Sequence, residues 1–178
     1  MLALPTKTSL ISIDTILDKA QVSDGALVAD LGCGRSTFFL YALSKLVGKN
    51  GIVYGVDILP DVIDSLKRDI SHHKIGGINI IKANLEAATL SLPINSCDAV
   101  FLINTLSQSS DSLAMIKNAA GLLNPKGRLI LVDWSETDSP LGPAAERRLS
   151  AEQVIEMVKL LNLTVLDRFE AGPYHYGI

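Results

Sequence analysis

The stretch VADLGCGRSTFF, residues 28–39, runs from an apolar segment into an acid, through two glycines one residue apart, into a helix-like sequence. A glycine-rich turn between a strand and a helix is where open α/β sheets hold nucleotide-like ligands, beyond the carboxyl ends of their strands. Which ligand depends on the details. A dinucleotide fingerprint, G-x-G-x-x-G/A, needs a small residue at its sixth position, and Thr37 stands there. Asp30 sits two residues before the first glycine. Its charge would repel a pyrophosphate and attract an ammonium. S-adenosylmethionine (SAM) carries an ammonium, a sulfonium, a ribose and an adenine, and no phosphate. The opening acid therefore favours SAM over a dinucleotide.

Outward from this turn, short β-rich runs alternate with stretches of helical period. Residues 26–31 read as a buried strand, and 37–47 as a helix closed by Gly48. Upstream, 12–20 places Ile13, Ile16, Leu17 and Ala20 on one helical face. Residues 51–58 form the next strand, and Pro60 and Asp61 suit the first turn of the helix that follows. Further strands are expected at 78–83, 97–103 and 128–134, with a helix over 110–123 and the turn NPKG after it. Ser150 and Gln153 have capping-box spacing and open a last helix. The run ERRLS (146–150) reads as a solvated approach to that helix. Residues 163–169 and 174–178 form two final strands joined by EAGP, a link too short for a parallel crossover, so they pair antiparallel.

Alternating strands and helices specify a parallel sheet with helices on both faces. Length suits one domain over residues 1–178. The chain is 48% hydrophobic, yet no apolar run approaches the ~20 residues of a membrane span. The first twenty residues lack a basic n-region and are interrupted by Asp14 and Asp18, so they do not read as a signal peptide. Cys33 and Cys97 cannot make a disulfide framework, which points to a reducing, cytoplasmic compartment. A net charge of −3 argues against a nucleic-acid surface. His72 and His73 end a helix with no further ligand at helical spacing, so no metal site is expected. Oligomeric state is not readable from the sequence.

A second acid supports a nucleoside. Asp57 ends the second strand, where a carboxylate can accept both ribose hydroxyls. Ile58 beside it can lie on an adenine, and Asn84, after the third strand, can bond the adenine edge. Asn104 and Thr105, after the fourth, line the cleft near the reactive methyl.

With VADLGCG, GIVYGVDILPDVIDSLKRD, INIIKANLEAATLSLPINSCDAVFLINTL and LNPKGRLILVDW in view, the sequence resembles the class I SAM-dependent methyltransferases of the small-molecule type. The resemblance implies an open Rossmann-like sheet of seven strands, order 3-2-1-4-5-7-6, with strand 7 antiparallel. It assigns the methionine moiety to Asp30, Gly32, Cys33 and Gly34, the ribose to Asp57, and the adenine to Ile58, Asn84 and Leu85. It implies methyl transfer to a small-molecule acceptor. The chain departs from the usual pattern at Ser36, where a third glycine is common, at Asn84, often an acid, and at Ser107, often a histidine. A catalytically silent SAM-binding subunit is therefore the main alternative, with a dinucleotide-dependent oxidoreductase behind it. The strand order should also bring Tyr174 and His175 beside Asp133 and Trp134. His175 is accordingly the candidate base or anchor on the acceptor side.

Overall fold

The computed structural model describes residues 10–87, 90–137, 139 and 141–178. Seven strands make one sheet: β1 (Leu27–Leu31), β2 (Ile52–Asp57), β3 (Ile78–Lys82), β4 (Cys97–Ile103), β5 (Leu123–Trp134), β6 (Phe169–Gly172) and β7 (His175–Gly177). Their order is β3-β2-β1-β4-β5-β7-β6, as the resemblance implies. The pairs from β3 through β5 are parallel, while β7 runs antiparallel to both β5 and β6.

The helices are α1 (Ile13–Ala20), α2 (Thr37–Val47), α3 (Pro60–His72), α4 (Ser112–Leu122) and α5 (Ala151–Leu160). Local chemistry fixes their starts. Ser12, Ser36 and Asp111 accept backbone N–H bonds from the first turns of α1, α2 and α4, and Ser150 and Gln153 form the expected reciprocal box on α5.

Side chains alternate across the strands and build two cores. Val28, Val53, Phe101, Ile130 and Val132 face Ile16 of α1, Leu40 and Leu43 of α2 and Leu66 of α3. Ala29, Leu31, Val56, Val100, Leu102 and Leu131 face Met115 and Ile116 of α4 and Val154 and Val158 of α5. Burial on both faces explains the near-continuous apolar strands. At roughly 25 cal/mol per Å2 of apolar area, each such Leu, Ile or Val side chain contributes about 1.5–3 kcal/mol.

Two boundaries differ from the sequence reading. The NPKG turn is spliced into β5: Cys97 pairs with Leu123 but Ala99 with Arg128, so residues 124–127 bulge outward. Asn124 ties the bulge to the sheet through Asp98 Oδ1, at 2.7 Å. The sixth strand begins at Phe169 rather than at 163. Ile178 exchanges both backbone bonds with Leu131, and Phe169 already stands opposite Gly177. Among the described residues nothing remains beside 163–168 for a ladder to form with. Their apolar alternation is used instead for packing, with Leu163 and Val165 against the α4–α5 core.

Candidate active site

The glycine turn leaves β1 at the sheet's carboxyl edge and is tied at once to β2. Gly32 and Cys33 both donate their N–H to Val56 O, at 2.8 and 3.0 Å. Gly32 (φ +77°) and Gly34 (φ +64°) have left-handed backbones that other residues rarely adopt. A Cβ on Gly32 would lie 2.7 Å from Thr105, so the turn presses directly on the loop after β4. Thr105 answers by sharing its hydroxyl hydrogen between Leu31 O (3.2 Å) and Ile103 O (3.0 Å).

Both acids stand where the strand pattern puts them. Asp57 Oδ2 accepts the Gly34 N–H and Oδ1 the Leu59 N–H, each at 3.0 Å. One carboxylate thus joins the glycine turn to the entry of α3, and each oxygen keeps further lone-pair capacity for a hydroxyl donor. Asp30 is only 3% exposed. Burial, and then the charge of Asp57, push its carboxyl up to about 7. A cation placed beside it would be bound by a group that, alone, is about half protonated at neutral pH. The same burial and the same two acids raise the Cys33 thiol well above its ordinary range, so it is an uncharged wall rather than a nucleophile.

Asn104 adds an acceptor. Its backbone is left-handed (φ +56°) and held on both sides, with its N–H on Val132 O (2.8 Å) and its carbonyl receiving Gln108 Nε2 (2.7 Å). Its side-chain Oδ1 is buried with no donor in reach. Such an atom costs about 1–3 kcal/mol unless a ligand supplies the hydrogen bond. Donors of an amino-acid ammonium match this need and that of Asp30, so the residues present fit SAM.

On the adenine side the three expected residues behave differently. Ile58 is half exposed, an apolar side chain open to a flat ring. Asn84 is exposed, but its Oδ1 already accepts the Glu86 N–H at 3.0 Å, which leaves its amide group free. Leu85 turns its side chain into the α4–α5 core, so only its backbone can face a ligand. Glu86 was not singled out by the sequence. It receives Ser109 Oγ (2.6 Å), Ser110 N–H (2.8 Å) and Ser110 Oγ (2.5 Å), binding the loop after β3 to the loop after β4. These donors hold its carboxyl down near 2.

His175, on β7, lies three strands across the sheet from the glycine turn that follows β1. It pairs with Trp134 across β5–β7, with ring centroids 4.2 Å apart. The residue is 2% exposed, and among the described residues no side chain bonds either ring nitrogen; the Leu10 backbone is the one group near enough to act on the ring as a hydrogen-bond partner. Burial, opposed by the Leu10 backbone and reinforced by the Arg148 charge, lowers its pKa to about 4. It is therefore a neutral imidazole across the physiological range. Neighbouring Asp133 is buried too, and its carboxylate accepts from Ser107 N–H (3.1 Å) and Trp134 N–H (2.8 Å). Burial raises its pKa in spite of these bonds. The backbone of Ser107 thus helps to orient Asp133. The described residues include no cluster of His, Cys, Asp or Glu able to hold a metal ion.

A seven-stranded sheet of this order, a glycine turn fastened by Asp57 beside the buried Asp30, and the unpaired acceptor of Asn104 in the loop after β4 are the arrangement of a class I SAM-dependent methyltransferase domain. Residues 22–167 match the model of the family described as Methyltransferase domain, and the chain belongs to that family. Over 126 residues it is 30% identical to the ubiquinone/menaquinone biosynthesis C-methyltransferase UbiE of Hahella chejuensis, covering 70% of this chain and 49% of the relative. It is 27% identical over 155 residues to the 27-O-demethylrifamycin SV methyltransferase of Amycolatopsis mediterranei, covering 86% and 54%. The chain thus spans about half the length of the curated relatives it matches. A SAM dependent methyltransferase from Aquifex aeolicus has the same fold, with a TM-score of 0.86 at 24% identity over 94% of this chain and 88% of that one.

Proposed function

We propose that this chain transfers the methyl group of SAM to a nucleophilic atom of a small-molecule acceptor, with residues 1–178 acting as one unit. The carrying observation is the buried Asp30, uncompensated except by its own proton, facing the same glycine turn that Asp57 fastens. The names of the relatives support a small acceptor: one is named for C-methylation in ubiquinone and menaquinone biosynthesis, the other for methylation of 27-O-demethylrifamycin SV. No helix among the described residues is long and apolar enough to cross a membrane.

When bound, SAM supplies an electrophilic methyl on a positively charged sulfur. The rest falls to the chain. Asp30 and Asn104 Oδ1 hold the ammonium, Gly32, Cys33 and Gly34 give close backbone approach, and Asp57 takes the ribose hydroxyls. Thr105 fixes the wall nearest the reacting carbon. The main contribution is alignment and water exclusion for an in-line displacement. A base is needed only where the acceptor must lose a proton near the transition state. His175 is proposed for the acceptor side, where its unprotonated ring can accept a hydrogen bond or, with a sufficiently acidic donor, a proton.

Turnover with radiolabelled SAM over a panel of acceptors, menadiol and phenolic polyketides among them, tests the reading. Transfer to at least one class supports it. Tight SAM binding with no transfer to any member favours the silent-subunit alternative, which the departures at Ser36, Asn84 and Ser107 keep in view.

A further inference from the structure

β5 ends at Trp134, with Ser135 N–H still bonded to Tyr174 O at 2.8 Å, and α5 begins at Ala151; the described residues between them make an excursion from the sheet. Arg148, near the end of this excursion, is buried although it sits in a hydrophilic run. Its Nε donates to Pro143 O (3.0 Å), Nη1 to Ser135 O (3.3 Å) and Thr137 O (2.8 Å), and Nη2 to Ser139 O (3.4 Å) and Leu141 O (2.9 Å). A guanidinium has five N–H donors in a rigid fork, and all five are spent on backbone carbonyls. Among the described residues no ion pair includes it. Its positive charge faces carbonyl dipoles and the indole of Trp134, whose centroid is 5.6 Å away.

The carbonyls so gathered bring the excursion down on that indole. Gly142 (φ +84°) lies so close that a Cβ there would stand 2.6 Å from the ring atoms. On the next strand, His175 packs on the same indole. A shallow cavity of about 420 Å3 opens beside them, lined by Ser135, Thr137, His175 and Tyr176. In it Ser135 Oγ is buried without a hydrogen-bond partner, while Tyr176, the next residue along β7, turns its side chain to the opposite face, into the α4–α5 core.

We propose that Arg148 is a positioning residue that latches the described part of 135–143 onto Trp134, and so forms the acceptor-side wall that encloses His175. The assignment of this wall to the acceptor rests on the methyltransferase reading. The latch itself does not.

Trp134 is the single tryptophan of the chain, so intrinsic fluorescence reports the wall alone. In R148A the emission should shift to the red and acrylamide quenching should rise at least twofold, with the circular dichroism unchanged. R148K keeps the charge but supplies only three donors from one point; it should show an intermediate effect, which keeps the test open if R148A does not fold. Guanidinium at tens of millimolar should move R148A back toward the wild-type spectrum, and ammonium at equal concentration should not. The chain has three histidines, so the His175 resonance can be followed by NMR. Its titration should move up toward 6.5 when the wall is released, chiefly because the burial that lowers it is relieved and secondarily because the Arg148 charge is gone. SAM affinity of R148K should stay within threefold of wild type. Unchanged quenching and an unmoved His175 titration in folded R148K and R148A would overturn the proposal. A wild-type protein that binds no SAM would instead remove the methyltransferase reading and leave the latch to stand or fall on fluorescence.

Discussion

Cofactor binding should release a proton, and Asp30 is where it comes from. The free carboxyl is held at about 7 by burial and by Asp57. A bound ammonium, an opposite charge in direct contact, counteracts both causes and draws it back toward the ordinary carboxylate value of ~4. Only the ionised form attracts the ligand, so affinity rises as pH rises toward 7. With these two values the dissociation constant is about eightfold weaker at pH 6 than at pH 7.5, and ~70-fold weaker at pH 5. Above about pH 7.7 an α-amino group begins to lose its own charge, which sets the upper limit of the comparison. Titration calorimetry at pH 6 in buffers of different ionisation enthalpy should show close to one proton released per SAM bound. Asp30→Asn should bind weakly and without this slope. The same shift bears on stability with a definite sign. A carboxyl whose folded pKa lies above its unfolded value opposes folding increasingly from about pH 4 to pH 7, by up to an order of 4 kcal/mol. Asp30→Asn should therefore raise the melting temperature of the free protein more at pH 8 than at pH 5. A dissociation constant that is flat between pH 5.5 and 7.5, or a variant that keeps the slope, would refute the reasoning.

Three further outcomes follow from the geometry. Asp57→Ala loses the bonds to Gly34 and Leu59 as well as the ribose contacts, each charge-assisted bond being worth roughly 1.5–3 kcal/mol, so calorimetry should show SAM affinity reduced at least tenfold in a protein that still folds. Gly32→Ala combines a positive φ with a 2.7 Å contact to Thr105; a loss of about 1–3 kcal/mol in urea unfolding, together with loss of SAM binding, is expected. His175→Ala should leave SAM affinity within a factor of two or three and lower turnover ~10²-fold, the scale of a general base, while full activity would return the residue to the core.

Much of the fold was legible because its strands are buried on both faces and its helices announce their caps. The two acids were legible for the same reason: a charged residue ending an apolar strand has nowhere to point but the sheet's edge. The meeting of His175 with Trp134 followed from strand order alone, although they are 41 positions apart in the chain. Other features depend on tertiary packing. The Leu85 side chain is drawn into the core beneath α4, a packing choice that its neighbours in sequence do not encode, and its backbone remains the part proposed to meet the adenine. The start of β6 depends on where Ile178 meets Leu131, not on the β-propensity of residues 163–168. Arg148 looked solvated because ERRLS is hydrophilic, whereas its five acceptors are backbone carbonyls that no side-chain pattern displays. Glu86 was hidden similarly, since Ser109 and Ser110 reach it from the next βα loop.

The central claim is that the cleft at Asp30 and Asp57 is built for SAM, and direct calorimetric titration at pH 7.5 with SAM, its demethylated product and NAD tests it most closely. One site of micromolar-range affinity, about −7 to −8 kcal/mol, for SAM or the product, with no measurable heat for NAD, is the predicted result. No heat and no thermal shift with either at millimolar concentration, or tighter binding of NAD, would contradict it.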